Sequence, residues 1–141
     1  MLNPLAPPAV QGINAPNSQE TGYLDVGYGY PFDVTIPTAN ELLTNQATAI
    51  LSNADFVFRG LIFTASGAFA VRIYDGDQYA LSTGLIRSQN LTATPGDPFP
   101  WFPEVWYPAG GKILLDIQDT SGVDDNVIQL LFLGANRYRL G

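Results

Sequence analysis

The sequence predicts an all-β protein: an antiparallel two-sheet sandwich of jelly-roll or related Greek-key type, about eight strands, with an extended N-terminal arm. Three observations carry this expectation. Apolar and polar residues alternate at period two through most patterned stretches, with no sustained helical period. Short breaks rich in Gly, Asp and Asn separate those stretches. The 11 prolines fall into two groups, Pro4 to Pro37 and Pro95 to Pro108. Proline lacks an amide proton and is kept out of central strands, so continuous sheet is expected in residues 38–94 and 109–141.

Residues 1–30 read as the arm and 31–141 as the sandwich body. The arm has no Lys or Arg and only two acids, Glu20 and Asp25. It carries too many apolar side chains for a solvated tail, which would be more charged. It is expected to dock on the body or on a neighbouring subunit. Phe32–Pro37 alternates as a short strand. Thr38–Asn53 reads as two strands, around Glu41–Thr44 and Ala47–Leu51, parted by a turn at Asn45-Gln46. One short helix is the alternative, because Thr38 to Glu41 fits a capping box.

Asp55 to Leu85 is the most strongly patterned stretch. Three apolar runs are split by Ser66-Gly67 and by Asp75-Gly76-Asp77, which predicts a three-strand antiparallel meander. Its strands fall at Phe56–Thr64, Phe69–Tyr74 and around Tyr79–Thr83. Lys112–Gln118 points Ile113, Leu115 and Ile117 inward. Asp119–Asn126 turns the chain. Val127–Leu133 is apolar on both faces, as in a strand buried between layers or covered by a partner. Gly134 to Arg139 is expected to finish at the surface.

Composition narrows the function. The chain has 141 residues, a formal net charge of −7 and only six basic residues. Those bases are scattered, which disfavours a nucleic-acid partner. No run of about 18 apolar residues exists, so no membrane-spanning helix is expected. The prolines and the lack of a basic start argue against a signal peptide in Met1–Val10. There is no His and no Cys, which removes the commonest general base and the thiol nucleophile. No catalytic residue, metal ligand or cofactor is expected. Asp97 and Glu104 form a weak glycosidase-like pair. Asp75, Asp77, Asp119, Asp124 and Asp125 offer oxygen ligands but sit where turns need them.

The unusual stretch is Pro95–Gly111, which holds both tryptophans among alternating prolines. It reads as a stiff aromatic loop with three open uses: capping the sandwich, anchoring a protein partner, or stacking on sugar rings. The candidate interface residues are Leu5, Ile13, Leu24, Tyr28 and Tyr30 on the arm and Trp101, Phe102, Trp106 and Tyr107 in the loop.

Ala54-Asp55-Phe56-x-x-Arg59-Gly60, Val71–Asp75, Phe102–Gly111, Leu115-Asp116-Ile117-x-Asp119 and Leu133–Arg139 together resemble small auxiliary head proteins of tailed bacteriophages, the cement or decoration proteins. The resemblance covers roughly residues 32–139 and leaves out the arm. It implies a jelly-roll-like fold on the capsid exterior and a non-enzymatic role. Copies would bind across joints between major capsid protein subunits and hold the shell against internal pressure. Self-association is expected as a dimer, with a trimer next. The alternatives are a carbohydrate-binding module displayed on a virion, and a head–tail connector or tail component.

Overall fold

The structure, a computed structural model, describes residues 22–94 and 96–140. Eight strands form two four-stranded sheets. They are β1 (Tyr23–Ile36), β2 (Leu42–Ala49), β3 (Asp55–Ala65), β4 (Phe69–Ile73), β5 (Ile86–Arg87), β6 (Phe99–Tyr107), β7 (Lys112–Asp119) and β8 (Asn126–Arg139). One sheet runs β1-β8-β3-β6 and the other β2-β7-β4-β5. Every observed pairing is antiparallel, and β1–β8, β2–β7, β3–β6 and β4–β5 are all present. The first half of the chain therefore pairs with the second half in reverse order, as one long ribbon wound into two layers. That is the jelly-roll order.

Period-two alternation builds the core between the layers. Phe56, Phe58 and Leu61 from β3, and Ile128, Leu130 and Phe132 from β8, meet Phe69, Val71 and Ile73 from β4 and Ile113, Leu115 and Ile117 from β7. Each such side chain contributes roughly 1.5–3 kcal/mol by leaving water. Gly134 is fixed by close approach. It stands beside the β-bulge at Phe58/Gly60, where a Cβ would overlap the Val57 carbonyl oxygen.

Several expectations are corrected. Asp55 to Leu85 is no meander, because β3 and β4 lie in different sheets. Ser66-Gly67 is a corner between layers. Asn126 holds it, accepting from the Gly67 amide at 2.9 Å and donating to the Ala68 carbonyl at 2.9 Å. Tyr79–Thr83 forms no strand beyond an isolated bridge, Tyr74 to Ala80. Thr38 to Glu41 caps no helix; it is a turn closed by the Glu41 amide on the Thr38 carbonyl. The two strands expected in 41–51 are one, β2, with a bulge between Leu43 and Gln46 and Asn45 at positive φ.

The arm boundary also moves. Tyr23–Tyr30 is the first half of β1, paired with β8 from Tyr23↔Arg139 onward. Residues 1–21 of the expected arm lie outside the described residues. Pro95–Gly111 is largely strand β6 rather than a loop. Pro31, Pro100 and Pro103 are compatible with strands because β1 and β6 are the two edges of their sheet, where a missing donor breaks no ladder. β8 extends six residues beyond Leu133, so Asn136 and Arg137 are buried rather than at the surface. Its outer face is open at Val127, which is 57% exposed.

Candidate interaction surfaces

β6 divides its aromatic side chains between two faces. Trp101 points inward, with its ring centroid 5.2 Å from that of Phe58. Tyr107 is fully buried, and its hydroxyl donates to the Tyr74 carbonyl at 2.6 Å. Burial, then the nearby Asp75 charge, push that hydroxyl's pKa well above the ordinary tyrosine range. Phe102 points out and is 92% exposed. Glu104 accepts from Arg59 Nε at 2.7 Å. Trp106 is partly exposed and covers the Arg137 guanidinium at 4.6 Å.

Between β6 and the Asp75-Gly76-Asp77 turn runs an open cleft of about 440 Å³. Trp101, Val105 and Leu81 line it together with Phe102, Glu104 and Asp77. Gly76 sets its width: a Cβ there would stand 2.7 Å from the Trp106 carbonyl oxygen. Asp75 cannot serve a ligand freely, because its Oδ1 accepts from the Asp77 and Tyr79 amides.

On the outer face of the same sheet, Arg137 donates to both oxygens of Asp25 at 2.6 and 2.7 Å. This bidentate pair lowers the Asp25 pKa and raises that of Arg137. Tyr23 and Trp106 flank the guanidinium. One ion pair thus spans from the β1 edge towards the β6 edge.

The first half of β1 offers a second surface. Leu24, Val26 and Tyr28 share the face of Tyr30 and Phe32, which are buried in the core. Yet these three are 44%, 42% and 39% exposed. The sheet overhangs its partner layer here, leaving core-facing apolar side chains uncovered.

The predicted interface residues therefore separate. Leu5 and Ile13 lie outside the described residues. Tyr30 and Tyr107 are core residues, and Trp101 packs partly into the core. Leu24 and Tyr28 are exposed on the overhang, and Phe102 and Trp106 on β6. The two groups sit at opposite edges of one sheet and form no single patch. Sequence reasoning missed Val26, whose period-two spacing with Leu24 and Tyr28 was the available signal, and Arg137, for which no local signal exists.

Arg59 and Arg72 are both paired within the body, Arg59 with Glu104 and Arg72 with Asp116 at 3.2 Å. The Asp119 carboxylate is saturated by the Asn40, Ser121 and Gly122 amides, the Ser121 hydroxyl and the Asn126 amide group. Among the described residues, no group of three or more Asp or Glu is placed to hold a metal ion, and no helix is long and apolar enough to cross a membrane.

No protein family model matches the chain, and no curated protein matches it. Among solved structures, the infectious bursal disease virus VP2 subviral particle aligns over 84% of this chain and 37% of that one, at 16% identity and a TM-score of 0.31. The chain thus spans well under half the length of that neighbour.

Proposed function

We propose that this protein is a non-enzymatic virion structural component. In this reading it binds the outside of a tailed-phage capsid across joints between major capsid protein subunits and stabilises the shell. The observation that carries the reading is the β6 edge. It presents Phe102 almost fully to solvent beside Trp106, on a strand stiffened by Pro100 and Pro103. A rigid aromatic anchor loses little entropy on docking. A lattice of equivalent sites then multiplies modest single-site affinity. The motif resemblance to cement proteins supplies the partner.

The test is co-sedimentation of the purified full chain with shells of the phage that encodes it. The expected result is saturable binding at hundreds of copies per shell, weakened at least tenfold by Phe102→Ala. A dozen or fewer copies per particle would instead mark a connector or tail component. Binding that ignores Phe102 would overturn the assigned surface.

One observation favours a second reading, carbohydrate binding: the cleft combines aromatic faces with the Asp77 and Glu104 carboxylates. A glycan array with the Phe102→Ala control separates it from the first, since specific sugar binding lost in that variant supports the lectin.

A further inference from the structure

Among the described residues, the outer edge of β1 has no partner strand, because β1 ends its sheet. Proteins normally blunt such edges with prolines, bulges or charges. The opposite edge, β6, is blunted in this way: it carries Pro100 and Pro103 and a register break against β3. Residues 23–30 of β1 carry no proline, no bulge and no lysine, and their pairing with β8 is unbroken. Their single charge, Asp25, is neutralised by Arg137. The apolar row Leu24, Val26 and Tyr28 lies along this unguarded edge.

We propose that this edge pairs with the same edge of a second copy, antiparallel about a two-fold axis at Val26. The two sheets would join into one of eight strands, and the interface would be isologous. The register follows from the side chains. Centring on Asp25 would set two carboxylates directly opposite each other, which is unfavourable. Centring on Gly27 would place Leu24 against Tyr30, which is already buried and offers no new apolar area. Centring on Val26 places Val26 against Val26 and Leu24 against Tyr28, all within the exposed overhang. On the other face it sets Asp25 against Gly27 and Tyr23 against Gly29, so each larger group meets a glycine. A Cβ at Gly27 would meet nothing within 4 Å, so room exists there. The pairing does not depend on the capsid reading.

The native chain has no cysteine, so single-cysteine variants test it cleanly. Residues facing each other across an antiparallel pair lie about 4.5–5.5 Å apart at Cα, within disulfide range. Full-length Val26→Cys is expected to link into a covalent dimer under mild oxidation at least tenfold faster than Val123→Cys, a control in the exposed 120–125 turn. Light scattering of the native chain is expected to give twice the 15.2 kDa chain mass. Val26→Lys, which places a charge at the axis, is expected to give the monomer mass with an unchanged circular dichroism spectrum. A native chain that stays monomeric at about 100 µM, a concentration well above the micromolar affinity of a modest interface, overturns the proposal. So does a dimer in which Val26→Cys links no faster than the control. If Val26→Lys fails to fold, the cysteine pair alone decides.

Discussion

Asp119 ties together two turns that are neighbours in space but far apart in sequence. Its oxygens accept from the Asn40 amide in the β1–β2 connection and from Ser121, Gly122 and Asn126 around the β7–β8 turn. Those bonds, the Asn40 amide foremost, hold its pKa far below the usual carboxylate range. Asp25, bonded to Arg137, is shifted the same way. So is Asp116, where bonds from Tyr74, Asn45 and Arg72 outweigh the burial that opposes them. A depressed native pKa means that the unfolded chain takes up protons first as pH falls. The stabilisation is complete above the unfolded carboxylate pKa of about 4 and is lost below it, as pH drops through the native values. The denaturant midpoint is therefore expected to be level from about pH 8 to pH 5 and to fall steeply below about pH 4. Asp119→Asn is expected to lower the midpoint at pH 7 and to flatten the acid limb. An unchanged acid limb would show that this carboxylate contributes nothing to it. In the sequence Asp119 was legible only as a turn residue. Its bonds to Ser121, Gly122 and Asn126 lie within that turn, but the Asn40 amide stands 79 positions away, outside any local window.

At the scale of the strand, β6 shows one sequence feature with two outcomes. Phe102 and Trp106 both point away from the core, yet only Trp106 covers another group. Its ring lies over Arg137, whose Nη1 has no hydrogen-bond partner among the described residues. Trp106→Ala would uncover that guanidinium and forfeit a cation–π contact of about 0.5–2 kcal/mol. Phe102→Ala removes a side chain with almost no intramolecular contact and should change stability by less than about 0.5 kcal/mol. Chemical denaturation followed by Trp101 fluorescence is expected to separate the two variants by about 1 kcal/mol. Equal losses would mean that Phe102 is packed. The alternating aromatics marked β6 as important, but its prolines hid it as a strand, because the rule against proline holds for central strands and not for edges. The same blindness to edges set the arm boundary at residue 30 and left Tyr23–Tyr30 outside the sheet.

At the scale of the molecule, the sandwich class was legible because period two and turn residues are local properties. Which strand lies in which layer was not. Ser66-Gly67 looks alike whether the chain doubles back in one sheet or steps across to the other. The choice is made by Asn126, some 60 residues on, and by the β3–β8 pairing it precedes. This wound ribbon makes tolerance to change depend on position. β8 lies between β1 and β3, so its last residues serve two strands at once. Asn136 accepts from the buried Tyr30 hydroxyl at 3.0 Å, and Arg137 holds Asp25. Ending the chain at Ala135 would strip both partners, leave Tyr23–Val26 without a ladder and bare the Tyr30–Phe56 aromatic contact. The Tyr30 hydroxyl would still accept from the Leu51 amide, but its buried proton would lose its acceptor, at a cost of about 1 kcal/mol. Loss of Arg137 also leaves the partly exposed Asp25 carboxylate without its cation, which costs less than the roughly 3–5 kcal/mol of a fully buried pair. With the lost ladder at Tyr23–Val26, these losses are a large fraction of the stability of a typical domain, about 5–15 kcal/mol. An insertion of four Gly/Ser residues between Thr83 and Gly84 should behave oppositely. Both residues are exposed, and Gly84 has open space where a Cβ would stand. Lengthening a surface loop costs only about 0.6 kcal/mol per doubling. The truncated chain is thus expected to lose its cooperative thermal transition, while the insertion keeps it within a few degrees of the native midpoint. A truncated chain that still melts cooperatively near the native midpoint would mean that β8 beyond Ala135 hangs on the sheet without holding it.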